Sequence, residues 1–168
     1  MNFKKLDIKF DIEKLQDATN ELFTKMSWKS YTVKGLCMTQ IPGDPSSADG
    51  DKLRGVFWTK PDSTGQEVQR ENYVDESMYS EFVQDFKNTY FEEIYNTLSK
   101  KYKMGRFRLL LLEPRTSLSW HRDPEPRLHI PIFTNPGAHL VIAEGLKHLP
   151  ADGGVWFTDT RNYHTVFN

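Results

Sequence analysis

Apolar residues recur at helical spacing in two stretches of the N-terminal part of the chain. The first stretch predicts a helix over residues 12–26, which Asp11 can cap. Its apolar face consists of Ile12, Leu15, Ala18, Leu22 and Phe23. The second stretch steps by four residues and predicts a helix over residues 77–102, ended by Gly105. Its aromatic stripe is expected to pack in the core rather than to bind a cofactor.

From Arg106 onward the periodicity changes to short apolar runs with Pro and Gly turns between them. The predicted strands cover residues 106–113, 118–121, 128–133, 138–143, 155–158 and 164–167. The uniformly apolar Leu109–Leu112 predicts a strand that is covered on both faces. Many short, closely spaced strands favour a sandwich or barrel such as a jelly roll. The expected fold is therefore mainly β with flanking helices.

Between the two predicted helices lie a loosely alternating strand, residues 31–41, and a polar segment, residues 42–76. The polar segment is rich in Gly, Pro, Ser and Asp and predicts a long loop, with a short strand at Val56–Trp58. Long loops in small domains often form lids or binding loops, so this one is the candidate substrate-facing loop. A disordered insertion explains the composition equally well.

Composition limits the class of protein. With 168 residues the chain suits one domain, residues 1–168, made of a helical and loop part, 1–105, and a β core, 106–168. A net charge of −1 gives no field that would attract nucleic acid, and no apolar run reaches the length of a membrane span. The N-terminus lacks the apolar core of a signal peptide, and the lone Cys37 cannot form an internal disulfide. A cytoplasmic protein is expected.

Two histidines and one aspartate form the candidate chemistry. His121 and Asp123 are two residues apart, so in a strand their side chains project from the same face. His164 begins the last predicted strand, which must return beside them to complete the set. Two imidazoles and one carboxylate suit mononuclear Fe(II) with open coordination positions, although zinc is chemically possible and the pattern also arises by chance.

Four ordered motifs extend this pattern over the C-terminal third of the chain. They are Glu113-Pro114 with Ser119-Trp120-His121-Arg122-Asp123, then Arg127-Leu128-His129-Ile130-Pro131-Ile132, then Gly153-Gly154-Val155-Trp156-Phe157-Thr158-Asp159, then His164-Thr165-Val166-Phe167-Asn168. In order and spacing this region resembles the aspartyl/asparaginyl β-hydroxylase family of Fe(II)- and 2-oxoglutarate-dependent dioxygenases. The resemblance implies a double-stranded β-helix, which is a cupin-like jelly roll, with helices on one outer face.

The resemblance also implies roles for individual residues. It implies iron on His121, Asp123 and His164, and it assigns Arg127 and His129 to 2-oxoglutarate. It implies an enzyme that uses O2 and 2-oxoglutarate to hydroxylate a C–H bond, either in an aspartyl or asparaginyl side chain of a polypeptide or in a small molecule. Without the resemblance, Arg127 would be assigned to a surface salt bridge and His129 to the core.

One feature of the family has no counterpart in this sequence. Family members carry an Arg beyond the second metal histidine that binds the distal carboxylate of 2-oxoglutarate, and Asn168 is the last residue here. Another basic residue replaces it, or the chain is shortened, or the co-substrate is held differently. Arg106 and Arg108 are the candidates for replacement, with Arg108 preferred.

Two other functions remain open at the level of sequence. The missing Arg favours an inactive cupin-like module that binds a metal or ligand without turnover. A zinc hydrolase would use the same triad but leaves Arg127 and His129 without a role. His139, His148 and Cys37 are expected to be surface or packing residues rather than parts of a site.

Overall fold

A computed structural model describes residues 1–25, 33–49 and 58–168 of the chain. This part is mainly β, with two α-helices and several antiparallel sheets, so the predicted class is confirmed at that level. The helices are α1 (Ile12–Lys25) and α2 (Tyr90–Ser99). The strands are β1 (Phe3–Lys9), β2 (Val33–Cys37), β3 (Thr39–Gln40), β4 (Thr59–Pro61), β5 (Glu67–Gln69), β6 (Glu81–Phe82), β7 (Arg108–Leu112), β8 (Arg127–His129), β9 (His139–Ile142), β10 (Gly145–Lys147), β11 (Gly154–Thr158) and β12 (His164–Phe167).

The chain forms two compact units and passes between them several times. The first unit comprises Met1–Ile12, Val56–Val74 and Leu112–Asn168, and the second comprises Glu13–Gly55 and Asp75–Leu111. Neither unit is one continuous stretch, and their limits differ from the expected parts 1–105 and 106–168. The single dioxygenase-like domain stays a prediction. No helix within the described ranges has both the length and the hydrophobicity that crossing a bilayer requires.

The first unit contains two three-stranded antiparallel sheets, in the orders β1-β11-β8 and β10-β9-β12, and the β4–β5 hairpin. Its buried apolar residues come mainly from the central strands and include Leu140, Ile142, Val155 and Trp156. The predicted strand 164–167 coincides with β12, and the predicted strands 138–143 and 155–158 match β9 and β11 to within one residue at either end. Alternating apolar residues between Pro and Gly turns therefore predicted these strands well.

Strand β1 is an element that the pattern did not predict. It pairs with β11 in the register Phe3↔Thr158 and Lys5↔Trp156, with an irregularity between Lys5 and Lys9. The Lys5 ammonium bonds Asp152 at 2.5 Å and lies 5.7 Å from the centre of the Trp156 ring. Charged residues occupy most positions of β1, so its sequence lacks the apolar alternation that predicts a strand. The strand forms because it pairs with β11, and not because of its own hydrophobicity.

The turn before β11 depends on Gly153, whose φ is +79°. Its carbonyl accepts a 2.9 Å hydrogen bond from the Phe10 N–H, and a Cβ built on Gly153 would collide with the Phe10 carbonyl. Both the backbone conformation and the close approach require glycine at this position. The turn thereby joins the end of β1 to the start of β11.

The second unit contains both helices. α1 confirms the first predicted helix, with Leu15 buried and the Thr19 hydroxyl bonded to the Leu15 carbonyl at 2.7 Å. The second predicted helix is wrong over its first half, where 3-10 turns (Glu76–Met78 and Gln84–Phe86) and β6 replace it.

Asn88 explains why α2 begins only at Tyr90. Its φ is +61°, and a right-handed helix requires negative φ. The Glu92 carboxylate accepts the Asn88 N–H at 2.7 Å, which holds the chain in this conformation. Of the apolar residues at four-residue spacing in this half, Phe82 and Phe86 are buried all the same, whereas Met78 is 51% exposed. The burial of the two phenylalanines was therefore predicted correctly although the helix was not.

Four further predictions need correction. Leu118–His121 does not form a strand, and only His121 within it takes part in an isolated bridge. Leu110 in β7 is 48% exposed, so that strand is not covered on both faces. The predicted loop 42–76 contains a 3-10 helix at Pro45–Ala48 and the β4–β5 hairpin. Of the predicted strand Val56–Trp58, residues 56 and 57 lie outside the described part, and Trp58 is not in a strand.

Candidate metal centre

The segment before Pro124 runs antiparallel to β12 and brings the three predicted ligands together. His121 and His164 exchange backbone hydrogen bonds, from the His121 N–H at 3.1 Å and from the His164 N–H at 2.8 Å. On one side of this pair the Leu118 N–H bonds the Val166 carbonyl, and on the other the Asp123 N–H bonds the Thr160 carbonyl, both at 2.9 Å. The expected return of the last strand beside His121 is confirmed.

The side chains of His121, Asp123 and His164 converge. Their ligand atoms all lie within 4.8 Å of one another, and this is the metal-ligand cluster that the described residues contain. The two imidazole centres are 4.3 Å apart, and His164 Nε2 is 3.7 Å from Asp123 Oδ2. Metal–ligand distances of about 2.1 Å place neighbouring ligand atoms roughly 3 Å apart. The separations in the cluster, 3.7 Å between His164 and Asp123 and up to 4.8 Å overall, are wider than this, so the three side chains would have to close in by about an ångström to hold a single ion.

Both histidines are oriented by main-chain carbonyls. The Nδ1 of His121 lies 2.6 Å from the Ser119 carbonyl, and the Nδ1 of His164 lies 3.1 Å from the Asn162 carbonyl. A carbonyl oxygen only accepts, so each Nδ1 carries the proton and each Nε2 presents its lone pair. Metal-binding histidines typically have this outer hydrogen bond, which sets the tautomer and the ring orientation. Nε2 is thus the candidate ligand atom of both residues.

The charges at the cluster suit cation binding. Burial alone would raise the pKa of the Asp123 carboxyl, but Arg127 and the two imidazoles outweigh it and hold this pKa below its usual value. Burial lowers the pKa of His164, and the neighbouring His121 adds to the effect. Near neutral pH the site therefore offers one carboxylate and a neutral imidazole at His164, which are the protonation states that metal coordination needs.

Arg127 and His129 lie on β8, two residues apart and so on one face of the strand. Arg127 donates from Nε to Asp123 Oδ2 at 3.0 Å, and only 18% of its side chain is exposed. This partly buried pair differs from the surface salt bridge that would be assigned to Arg127 without the family resemblance. His129 pairs with Trp156 across β8 and β11. The binding of 2-oxoglutarate by these two residues stays a prediction.

Arg108, the preferred residue for the distal carboxylate, lies on β7 in the second unit. Its Nη2 is 4.0 Å from Glu76, which Arg106 contacts more closely, at 2.6 Å. Both arginines are thus next to the same buried carboxylate. The role of Arg108 toward 2-oxoglutarate stays a prediction.

His139, His148 and Cys37, which were expected to be surface or packing residues, form hydrogen bonds to backbone carbonyls. His139 and His148 bond backbone carbonyls through Nδ1, at 3.0 and 2.9 Å, and His139 also stacks on Phe167. Cys37 is buried and donates to the Thr39 carbonyl, and burial raises the pKa of its thiol. A thiol in this environment is a poor nucleophile.

Sequence reasoning missed a cluster on the outer side of the ligand segment. Arg122, between two ligands, bonds Glu67 of β5 at 2.6 Å and lies 4.9 Å from the Trp58 ring centre. Tyr163, next to His164, stacks on Trp120 with ring centres 6.1 Å apart. The alternation of a strand could have predicted that Trp120 and Arg122 face away from the ligands, but not that β5 lies there.

Comparisons with known proteins leave the family open. No protein-family model matches the chain, and no curated protein matches it either. The four sequence motifs and the geometry of the triad are therefore the observations from which a function is inferred.

Proposed function

We propose that this protein is an Fe(II)- and 2-oxoglutarate-dependent dioxygenase that hydroxylates a C–H bond. The observation that carries the proposal is the convergence of His121, Asp123 and His164, with both Nδ1 atoms bonded to backbone carbonyls. Two imidazoles and one carboxylate on one side of an ion leave positions for a co-substrate and O2, as mononuclear non-haem iron requires. The motif resemblance to the aspartyl/asparaginyl β-hydroxylases supports the same chemistry.

The double-stranded β-helix belongs to this proposal. The two antiparallel three-stranded sheets of the first unit are compatible with it, and β12 returns beside the His121 segment as such a fold requires. In that fold the ligands stand at strand rims, where a co-substrate can enter.

The protein's own residues would perform the supporting roles. His121, Asp123 and His164 would hold the metal, which together with 2-oxoglutarate and O2 supplies the oxidising chemistry. Arg127 keeps the Asp123 carboxylate ionised and in position through its 3.0 Å bond. On the same face of β8, Arg127 and His129 would bind a carboxylate of 2-oxoglutarate by charge-assisted hydrogen bonds. Burial of His164 keeps its imidazole neutral and available to the metal.

The substrate class follows from the resemblance alone. Aspartyl and asparaginyl side chains of polypeptides are the first candidates, and a small molecule is the second. Two rival functions share the triad: a zinc hydrolase, and a module that binds metal or ligand without turnover.

Succinate release tests the proposal. Protein loaded anaerobically with Fe(II) is given O2, 2-oxoglutarate and Asp- or Asn-containing peptides, and succinate is measured by mass spectrometry. We expect His121→Ala to abolish release, and His148→Ala, the same change away from the triad, to leave it intact. Equal rates in wild type and His121→Ala would contradict the proposal. Tight zinc binding without 2-oxoglutarate affinity, measured by calorimetry, would favour the rivals.

A further inference from the structure

The residues that flank the three ligands gather on the opposite side of the ligand-bearing segments. Trp120 and Arg122 alternate with His121 and Asp123, and Tyr163 immediately precedes His164. The Trp120 and Tyr163 rings are nearly parallel, at 6° with centres 6.1 Å apart. This stack joins the two backbone segments that carry the ligands through residues that do not touch the metal position.

Arg122 is enclosed by groups from three segments of the first unit. Its guanidinium carbon lies 4.9 Å from the Trp58 ring centre and 5.9 Å from the Tyr163 ring centre. Its Nε donates to Glu67 Oε1 at 2.6 Å. These distances suit cation–π contact on both rings and a charge-assisted hydrogen bond. These three contacts together favour one position of the guanidinium, although a third of the Arg122 side chain is exposed.

The Glu67 carboxylate is the point where these groups meet. It accepts hydrogen bonds from Thr59 of its own hairpin, from Arg122 and from the Tyr163 hydroxyl, and these bonds lower its pKa to about 2. Arg122 belongs to the segment of His121 and Asp123, whereas Tyr163 belongs to that of His164. One carboxylate thus bonds to neighbours of all three ligands, on the face away from them.

We propose that Glu67 is a positioning residue for the metal centre, which ties the His121–Asp123 segment to the His164 segment through Arg122 and Tyr163. The inference rests on the proposed metal site. Backbone hydrogen bonds connect the two segments at His121–His164 and on either side, at Leu118–Val166 and Asp123–Thr160. The bonds at Glu67 add a side-chain connection on the outer face. This connection restricts how the two segments tilt against each other, and with it the relative positions of the three ligand groups.

A positioning role for Glu67 predicts a large effect on metal affinity and a small effect on the free energy of unfolding. Glu67 and Arg122 have 27% and 33% of their side chains exposed, and an ion pair of that exposure adds at most about 1 kcal/mol to folding. Outer groups that orient metal ligands change metal affinity by roughly 10- to 100-fold. Glu67 is expected to affect metal affinity and ligand geometry well beyond its effect on folding.

Cobalt binding provides the experiment, because Co2+ reports affinity and geometry in one visible spectrum. Glu67→Gln keeps the size of the side chain and removes its charge, and Glu71→Gln is the matched change at an exposed position of the same unit. We expect about 10-fold weaker Co2+ binding and an altered d–d band for Glu67→Gln, and wild-type values for Glu71→Gln. In Arg122→Gln the further change Glu67→Gln should have a smaller effect than it has in the wild type, because only the Tyr163 contact to the ligand segments is then left to lose.

The outcomes are separable. If the wild type and His121→Ala bind Co2+ equally, the proposed function and this inference both fail. If the wild type binds, His121→Ala does not, and Glu67→Gln matches wild type in affinity and spectrum, the inference alone is overturned. Should Glu67→Gln not fold in a urea titration, Tyr163→Phe carries the test, because it removes only the hydroxyl. Severalfold weaker binding and an altered band support the proposal, and wild-type behaviour overturns it.

Discussion

His121 and His164 form a reciprocal backbone pair, with N···O distances of 3.1 and 2.8 Å, and their imidazole centres stand 4.3 Å apart. Directly opposed residues in an antiparallel pair project their side chains to the same side. The bridge that joins the two segments therefore also brings two ligands together. Asp123, two residues on from His121, projects from that same side as the third ligand.

Breaking the Arg127–Asp123 pair should destabilise the protein even without metal. Arg127→Gln removes the charge from a side chain that is 18% exposed and leaves the Asp123 carboxylate without this partner at 3.0 Å. We expect the free energy of unfolding to fall by about 2 kcal/mol, as for loss of a partly buried charged hydrogen bond. Urea titrations of the metal-free wild type, Arg127→Gln, Asp123→Asn and the double variant measure the change in the free energy of unfolding. Strictly additive losses in the double variant would contradict a direct pairing.

The contribution of Glu67 to folding should depend on pH. Its pKa is lowered from 4.5 to about 2, by the Thr59 hydrogen bond first and the Arg122 bond next. The ionised carboxylate therefore stabilises the fold fully above pH 4.5, and this contribution is lost as the pH falls toward 2. Urea titrations between pH 2 and 7 measure the free energy of unfolding of wild type and Glu67→Gln. Near neutral pH that of the wild type should be larger by at most about 1 kcal/mol, and the difference should shrink as the pH falls. A gap that widens in acid would refute the assignment.

Ile142 should be a stability determinant close to the metal centre. It has no exposed surface and lies opposite His164 in the β9–β12 register. Ile142→Ala removes buried methyl groups and leaves a cavity. We expect the free energy of unfolding to fall by about 2–5 kcal/mol, as for other isoleucine-to-alanine changes in protein cores. Leu146→Ala is the control, because that side chain on neighbouring β10 is 61% exposed. Equal losses from the two changes would mean that Ile142 is not in the core.

Two glycines with the same backbone conformation should respond differently to alanine. Gly153 and Gly43 have φ values of +79° and +78°, but only at Gly153 would a Cβ meet the Phe10 carbonyl, and nothing lies within 4 Å of a Cβ at Gly43. We expect Gly43→Ala to cost about 1 kcal/mol from backbone strain. Gly153→Ala should cost clearly more, because the collision adds to that strain. Thermal unfolding of both variants measures the difference, and similar melting temperatures would disprove the collision.

The helices show where prediction from sequence succeeded and where it failed. The spacing of Leu15 and its neighbours predicted α1 with its buried face, because local periodicity and tertiary packing agree there. Between residues 77 and 89 the same spacing predicted a helix that does not form. Asn88 at positive φ, with its bond to Glu92, sets the start of α2. Before it, 3-10 turns and β6 bury Phe82 and Phe86 without a helix.

The candidate site was predictable in its ligands but not in its support. His121 and Asp123 share a face by strand alternation, and His164 was expected to return beside them. The hydrogen bond from Arg127 to Asp123, by contrast, depends on the path of the turn between them. The contact of Glu67 with Arg122 spans 55 positions and depends on where the β4–β5 hairpin lies.

The sequence by itself determined the β-rich class, the strand boundaries around His164 and the identity of the three candidate ligands. These follow from local alternation, turn residues and the chemistry of imidazole and carboxylate, which act over a few residues. Only the tertiary structure decided that charged β1 pairs with β11, that both histidines present Nε2, and that Glu67 joins the ligand segments. Each of these depends on contacts between distant parts of the chain, whose free energies no local pattern encodes.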